Sequence, residues 1–353
     1  MTRPVLFVTG KAPPDRVGAF SRLAAREDVE FALFGGRGRH ATGEAPDLPF
    51  PHRHVSQRDV GALAESGRYR AVICGTSGRA ALPAAYRGAR RAGVPFVLWA
   101  SLWAHPRGPA GLAGYLPLRH VYRRADAIAT YGPHVTEYVR RLGATGPVVE
   151  ALQAVDNAFW GAPAVPAPRQ APFVALCVGR LEREKGIRVL AAAWRQLAPE
   201  PGAAALVTVG EGPERARAIA AGATAPGQLN PEQLRNLYAG ADVLVVPSIT
   251  TATFREPWGL VVNEAMNQGL PVIATTAVGA AAGGLVRHER TGLIVAERDP
   301  AGLAAALRRL QRDPGLRARL GAAARTEVAR FTQAAWADGM AAALAAMRVG
   351  KGA

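Results

Sequence analysis

The sequence is poor in residues on which several classes of protein depend, cysteine first among them. Cys74 and Cys177 are the two cysteines among 353 residues, and both lie in apolar, strand-like runs. We expect them to be reduced core residues of a cytoplasmic protein and not part of a disulfide framework. No Cys or His spacing resembles a zinc site, and the pair His52 and His54 stands alone in a polar stretch, so we expect no metal site.

Long apolar runs and two common signatures are also missing. No apolar run approaches the ~20 residues that span a bilayer, and residues 1–4 lead directly into the strand-like V-L-F-V-T-G. We therefore expect neither a transmembrane helix nor a signal peptide. No G-x-G-x-x-G follows that first strand, which argues against a dinucleotide-binding domain, and no D-x-D occurs in the chain.

Acidic residues are outnumbered by basic ones. Lys and Arg total 43 against 27 Asp and Glu, a formal charge of +16, and only three of the 43 are lysines. The excess suits an anionic partner, and the charge alone leaves open a sugar nucleotide, an anionic lipid surface or a nucleic acid. The chain has no basic repeat and no aromatic-rich sheet signature, so we predict no nucleic-acid partner.

What the sequence does contain is the alternation of a doubly wound α/β fold. Hydrophobic residues make up 49% of the chain, and short β-branched runs alternate with helical segments throughout. Such alternation predicts parallel sheets, with ligands bound beyond the carboxyl ends of the strands. We predict a first domain at 1–160, a Pro/Ala-rich linker at 161–170, a second domain at 171–330 and a final helix at 331–353.

The most informative stretch is a strand–loop–helix–strand unit at residues 243–274. Its first strand is predicted at 243–246 and is stopped by Pro247. Its helix is predicted at 259–266, and Glu256 and Glu264 lie just before and within that helix. The start of a helix favours an anion, because its first amides are unpaired and carry partial positive charge. Carboxylates, in turn, accept hydrogen bonds from hydroxyls. The combination fits a phosphate joined to a group rich in hydroxyls, such as a sugar nucleotide.

The same residues carry a family resemblance. Glu256 and Glu264 are separated by seven residues, and the flanking V-V-P-S, W-G-L-V-V-N-E-A-M and G-L-P-V-I-A-T make the pattern specific. Residues 173–190 add G-R-L-E-R-E-K-G after an apolar run, and Y-A-G-A-D-V leads into the central unit. The chain resembles the retaining GT-B glycosyltransferases, in particular glycosyltransferase family four.

The resemblance implies an α/β fold of GT-B type: two Rossmann-like, doubly wound parallel-sheet domains facing a cleft, with the last helix crossing back to the first domain. It also implies a metal-independent, retaining hexosyltransferase that needs no cofactor beyond its nucleotide diphosphate sugar donor. The acceptor would be a glycan, a lipid-linked sugar or a small molecule, as in polysaccharide biosynthesis. A sugar epimerase, a phosphorylase and a non-catalytic nucleotide-sugar-binding protein stay open as alternatives.

Roles for individual residues follow from the resemblance. Glu256 would hold and orient the sugar, and Glu264 would accept hydrogen bonds from the ribose hydroxyls. Backbone near Gln228 and Leu229 would meet the base, and His105, which follows a strand of the first domain, would lie near the sugar. The leaving diphosphate would be bound by the cationic side chains of Arg180 and Lys185 and by the backbone amides of Gly259 and Leu260.

Residues 111–124 interleave apolar and basic side chains in the run G-L-A-G-Y-L-P-L-R-H-V-Y-R-R. As an amphipathic helix, such a stretch can lie on an anionic membrane, which would place the protein on the inner face of the plasma membrane. It equally fits a core-facing helix with a solvated basic side. Pro117 argues against one regular helix over the whole stretch, unless the helix begins at that residue.

Overall fold

The computed structural model describes residues 3–35, 48–78 and 80–349, and it divides the chain into two compact units. The first unit comprises Met1–Ala154 together with Thr332–Ala353, and the second comprises Val155–Phe331. The predicted final segment extends to 353, and its last four residues lie outside the described part of the chain. Each unit is a parallel sheet covered by helices, as predicted.

Among the residues that the structure describes, seven parallel strands form the sheet of the first unit, in the order β3-β2-β1-β4-β5-β6-β7. Numbered along the chain, they are β1 Val5–Thr9, β2 Val29–Leu33, β3 His52–His54, β4 Ala71–Gly75, β5 Phe96–Ala100, β6 Ala127–Thr130 and β7 Val148–Glu150. The helices of this unit are α1 Pro14–Glu27, α2 Val60–Glu65, α3 Ala81–Arg91, α4 Pro109–Arg124, α5 Pro133–Arg141 and α14 Gln333–Val349.

Strand β1 shows why this sheet is covered on both faces. Its apolar residues are fully buried, and successive side chains point to opposite faces of the sheet. Val5 and Phe7 belong to a core packed against α1 and α14, whereas Leu6 and Val8 belong to a second core under α2 and α3. A strand buried on both faces needs a continuous apolar run, which is what the V-L-F-V sequence supplies.

The last helix, α14, packs in the first unit. Trp336 is fully buried there, with its ring centroid 5.5 Å from that of Phe20 and 5.6 Å from that of Trp99. A Cβ on Gly339 would lie only 2.3 Å from the carbonyl oxygen of Glu150, so a glycine lets the helix approach β7 closely. The predicted return of the final helix to the first domain is confirmed.

The second unit has six parallel strands in the order β10-β9-β8-β11-β12-β13. They are β8 Phe173–Val178, β9 Ala204–Val209, β10 Thr224–Gly227, β11 Val243–Val246, β12 Val272–Thr275 and β13 Gly292–Val295. The helices are α6 Asn157–Gly161, α7 Ile187–Leu197, α8 Arg215–Ala220, α9 Pro231–Gly240, α10 Val261–Asn267, α11 Gly279–Ala282, α12 Pro300–Arg312 and α13 Pro314–Val328, with a 3-10 turn at Arg183–Lys185.

The winding direction of the second unit reverses between β8 and β11. Strand β8 continues to β9 and β10 on one side, whereas β11, β12 and β13 follow on the other. Connections that leave neighbouring strands in opposite directions open a crevice at the carboxyl ends of those strands, where ligands of open α/β sheets bind. Gly179 and Arg180 follow β8, and Pro247 and Ser248 follow β11.

The boundary between the units lies at Val155, a few residues before the predicted position 160. Residues 155–170 belong to the second unit because their contacts are there. The Trp160 ring packs 5.9 Å from that of Tyr238, and the amide of Ala167 donates to the carbonyl of Asn236 at 2.9 Å. The Pro/Ala-rich stretch that was predicted as a linker is therefore attached to the second sheet domain.

Candidate functional site

A buried ion pair joins the two sides of the crevice in the second unit. Lys185 ends the 3-10 turn after β8, and its ammonium contacts Oε2 of Glu256, which lies 71 residues further along the chain. The Ser248 hydroxyl, directly after β11, donates to the same oxygen at 3.1 Å. Glu256 is only 6% exposed, and the ammonium also lies 5.6 Å from the Phe254 ring centroid. A cation and a hydroxyl therefore hold this carboxylate in one position.

Gly186 positions Lys185. Its φ is +72°, and a Cβ at this residue would lie 1.8 Å from the carbonyl oxygen of Pro247. We expect Gly186→Ala to lower the free energy of unfolding by about 2–4 kcal/mol, since left-handed strain of roughly 1 kcal/mol adds to a backbone displacement of comparable or larger cost. Urea unfolding followed by circular dichroism measures the change.

Gly202→Ala is the matched control for this substitution. Gly202 has a φ of +78°, yet nothing lies within 4 Å of a Cβ built on it. Only the strain of about 1 kcal/mol is expected there. Equal losses in the two variants would show that the contact with Pro247 does not constrain the turn.

Arg180 follows β8 but is engaged with two acidic neighbours. Its guanidinium pairs with Glu182 and lies 3.7 Å from Oε1 of Glu184, and its side chain is 48% exposed. The contacts described for it are thus with the charged loop and not with Glu256. Because the side chain is exposed and its partners belong to the same short loop, reorientation toward an anionic ligand would need no change in the core.

The second predicted carboxylate, Glu264, lies on α10 and is held by a tyrosine. The hydroxyl of Tyr238, on α9, donates to Oε2 of Glu264 at 2.8 Å, and Tyr238 is 1% exposed. Burial, reinforced by the Glu264 charge, holds the pKa of Tyr238 well above its ordinary value, so the hydroxyl stays a neutral donor. The carboxylate is therefore oriented by a fixed donor from a neighbouring helix.

The loop between Glu256 and α10 is tightly fixed. Gly259 has a φ of +95°, and Leu260 caps α10, so that the amides of both residues lie at the beginning of the helix. The Trp258 indole N–H donates to Oδ1 of Asn263 at 2.7 Å, and the carbonyl of Glu256 accepts from the Gly279 amide at 3.1 Å. Rigid backbone amides beside a buried carboxylate are the arrangement expected for binding a charged and hydroxylated ligand.

The remaining predicted residues occupy separate positions. Gln228 and Leu229 directly follow β10, with Gln228 exposed. His105 belongs to the first unit, where its Nε2 lies 2.6 Å from the carbonyl oxygen of Gly111 and its ring packs on Tyr115 at 4.8 Å. The contacts described for His105 therefore fix the start of helix α4.

Sequence reasoning assigned no role to Ser248 or Tyr238. Both stand in the quoted pattern Y-A-G-A-D-V-L-V-V-P-S, but a hydroxyl in such a pattern does not tell which carboxylate it will reach. Burial supplies the missing signal, because a fully buried hydroxyl nearly always has a hydrogen-bond partner. In the described ranges, no group of three His, Cys, Asp or Glu side chains is arranged to hold a metal ion.

Comparison with known proteins places this site in a family context. The profile described as "Glycosyl transferases group 1" matches residues 172–313, which contain β8 to β13 and both carboxylates. Over 213 residues the chain is 32% identical to the glycogen synthase of Mycobacterium tuberculosis strain H37Rv, covering 58% of this chain and 50% of that protein. The chain thus spans about half the length of the curated relatives it matches.

Solved structures extend the similarity to the whole chain at the level of the fold. The sucrose-phosphate synthase of Thermosynechococcus elongatus superposes with a TM-score of 0.74 at 20% identity, over 99% of this chain and 100% of that one. The Anabaena HepE protein, solved in complex with UDP, gives a TM-score of 0.78 at 17% identity, over 97% and 99%. Two parts of the predicted resemblance are confirmed: residues 172–313 match the glycosyl transferases group 1 profile, and the chain has the fold of the GT-B glycosyltransferases.

Proposed function

We propose that the protein is a retaining, metal-independent glycosyltransferase that moves a hexose-type sugar from a nucleotide diphosphate sugar to an acceptor. The observation that carries the proposal is the buried Lys185–Glu256 pair in the crevice of the second unit, beside the start of α10 and within a glycosyl transferases group 1 domain. A nucleotide sugar carries both chemistries that this pair can serve, since its diphosphate is anionic and its sugar and ribose are rich in hydroxyls.

In the proposed mechanism, the bond between the anomeric carbon and the diphosphate breaks while positive charge develops on the sugar. Negative charge grows on the departing phosphate, where Lys185, a reoriented Arg180 and the amides of Gly259 and Leu260 stabilise the transition state more than the ground state. The acceptor hydroxyl attacks from the face that the phosphate leaves, which retains the configuration. A departing phosphate oxygen takes the hydroxyl proton, so no protein side chain has to act as the base.

The remaining residues bind and orient the donor. Glu256 would accept hydrogen bonds from the sugar hydroxyls and lie near the developing positive charge, with Ser248 holding the carboxylate in place. Glu264, oriented by Tyr238, would accept from the ribose hydroxyls. In both cases an ionised carboxylate accepts hydrogen bonds from hydroxyls, and such charge-assisted hydrogen bonds are strong. His105 belongs to the first unit, which would bind the acceptor, and it would lie near the sugar.

The uridine nucleotides are the first donors to test. The Anabaena HepE structure is described as a complex with UDP, and further structures of that protein contain UDP and glucose or UDP-glucose. Incubation with UDP-glucose, GDP and ADP sugars and a panel of glycan, lipid-linked and small-molecule acceptors should release nucleoside diphosphate only when an acceptor is present. The rate should be unchanged by a chelator if no metal takes part.

The same assay separates the alternatives. An epimerase or a hydrolase would consume the donor without an acceptor, and a phosphorylase would require inorganic phosphate. A non-catalytic binding protein would bind nucleotide, as measured by calorimetry, without turnover. Absence of both binding and turnover with every nucleotide sugar would refute the proposed donor site.

A peripheral membrane position belongs to the same proposal, and helix α4 supports it. Leu112 and Leu116 are 63% and 69% exposed, and Arg119 and Arg123 continue the same helical stripe with exposed basic side chains. Apolar side chains that enter the headgroup region and arginines that meet anionic lipids would place the protein at the inner face of the plasma membrane. In the described ranges, no helix is both long and apolar enough to cross a membrane.

Replacing both leucines tests this position. We expect Leu112→Ser/Leu116→Ser to weaken binding to phosphatidylglycerol vesicles about tenfold or more in a sedimentation assay, because two apolar side chains are lost from the interface. Ile219→Ser is the control, since Ile219 is also an exposed apolar residue, 46% exposed, but lies in the second unit. Equal binding by all three proteins would exclude α4 as the contact.

A further inference from the structure

A buried arginine in the first unit has no role in the mechanism above. Arg16 lies in the first turn of α1 and is 7% exposed. One terminal nitrogen donates to the amide oxygen of Gln153, and Nε lies 3.5 Å from Oδ2 of Asp15. The guanidinium carbon lies 5.5 Å from the Trp99 ring centroid and 5.8 Å from that of Tyr131. The side chain is thus held in one place by groups from four parts of the chain.

Two buried N–H donors in this cluster lack an acceptor. Among the residues that the structure describes, neither the Nη1 nitrogen of Arg16 nor the indole nitrogen of Trp99 has a hydrogen-bond partner. Buried polar groups are nearly always paired, and an unpaired one calls for an explanation such as an absent ligand. Both unpaired donors lie on adjacent side chains, and each could donate a hydrogen bond to an oxygen atom of a ligand.

The cluster lies where a ligand of this sheet is expected. Helix α1 follows β1, Trp99 is the penultimate residue of β5, Tyr131 directly follows β6, and Gln153 comes three residues after β7. All four positions therefore belong to the carboxyl edge of the sheet. The order β2-β1-β4 reverses the winding at β1, so this edge also holds the switch point of the unit.

The charge of the cluster determines the class of ligand. The one carboxylate described in contact with Arg16 is Asp15, whose side chain is 29% exposed. Burial raises the pKa of the Tyr131 hydroxyl, against the opposing effect of Arg16, so this neighbour stays neutral and adds no negative charge. A guanidinium held away from water with an unused nitrogen favours an anionic oxygen over a neutral hydroxyl.

We propose that Arg16 and the Trp99 indole N–H bind an anionic oxygen group of the acceptor, either a phosphate or a carboxylate. The inference depends on the proposed transferase activity only in calling this ligand the acceptor. Arg16 would then bind the acceptor to the first unit through its charge. Acceptors that carry a phosphate or a carboxylate should therefore be preferred over their neutral counterparts.

Calorimetric titration of the full chain without nucleotide tests this site with four probes: inorganic phosphate, glucose 6-phosphate, glucuronate and glucose. We expect the anionic probes to bind at least tenfold more tightly than glucose, and the tighter of the two sugar anions identifies the group. Arg16→Gln should weaken anion binding at least tenfold, whereas Arg22→Gln should change it less than twofold. Arg22 is an exposed arginine on the same helix, which makes it a matched control.

The variant Lys185→Met separates this inference from the proposed donor site. Anion binding that survives in Lys185→Met but is lost in Arg16→Gln supports the inference, whether or not the donor site is correct. Binding lost in Lys185→Met but kept in Arg16→Gln would place the anion at the donor site and overturn it. Equal affinity for glucose and for the anionic probes in the wild type would also overturn it, independently of how well Arg16→Gln folds.

Discussion

Lys185→Met is expected to weaken nucleoside diphosphate binding by about 10- to 100-fold. The substitution keeps the aliphatic stem beside Phe254 but removes the ammonium, and a hydrogen bond to a charged group contributes about 1.5–3 kcal/mol. Turnover should fall further than binding, because the charge on the diphosphate grows as the bond to the sugar breaks. Calorimetry with the nucleotide, together with initial rates at saturating donor, measures the two effects.

Arg183→Met is the matched control for the loss of this charge. Arg183 lies in the same 3-10 turn, two residues away, and its side chain is exposed. We expect less than a twofold change in nucleotide affinity, since an exposed charge is screened by water. Equal losses in the two variants would mean that the general positive charge of the loop attracts the nucleotide, and Lys185 would lose its proposed role.

Lys185→Met should also destabilise the fold, because it leaves the buried Glu256 carboxylate without its cation. Removing one partner of a fully buried pair costs about 3–5 kcal/mol. The cost here should lie below that range, because the Lys185 side chain is 22% exposed and Ser248 still donates to the carboxylate. Activity is therefore compared at a temperature at which unfolding curves show both variants to be folded.

The fold could be predicted from the sequence because its strands are short apolar runs with clear ends. Elements whose pattern is atypical were less predictable. Strand β3, His52–His54, is a polar edge strand whose sequence lacks the apolar pattern of a buried strand. Residues 279–282 form the short helix α11, although their Gly/Ala sequence has no periodicity to indicate a helix. Whether an edge strand or a single helical turn forms depends on the contacts that surrounding elements make with it, and its own sequence does not indicate it.

The composition of the candidate site could be predicted better than its geometry. The motifs around Glu256 and Lys185 indicated both residues, but a sequence does not show that their side chains meet across the crevice. The topology brings them together, because β8 and β11 are adjacent strands although 64 residues separate the end of one from the start of the other. Arg180 was assigned to the diphosphate on its motif alone, whereas the structure pairs it with Glu182 and Glu184.

Glu256→Gln is expected to lower kcat by about 10²–10³-fold while nucleoside diphosphate binding changes less than threefold. The amide keeps the size of the carboxylate, and its oxygen can still accept from Ser248, but it no longer provides a negative charge near the sugar. Sugar transfer passes through a transition state with positive charge on the anomeric carbon, as in glycoside hydrolysis, so the loss falls on the chemical step. Initial rates at saturating donor and acceptor, with calorimetry for the nucleotide, measure both quantities.

Glu232→Gln provides the control, since Glu232 is an exposed glutamate in the first turn of α9 and should leave both quantities unchanged. The interpretation of Glu256→Gln depends on whether kcat, the affinity for the nucleotide, or both change. If affinity for the nucleotide falls in parallel with kcat, Glu256 serves mainly to hold Lys185 toward the diphosphate, and the charge near the sugar contributes little. If kcat stays within threefold of the wild type, the buried pair is a structural feature of the crevice. A fall in kcat alone, absent in Glu232→Gln, would assign the Glu256 carboxylate to the sugar. Loss of an interaction that is made only in the transition state lowers turnover without weakening ground-state binding.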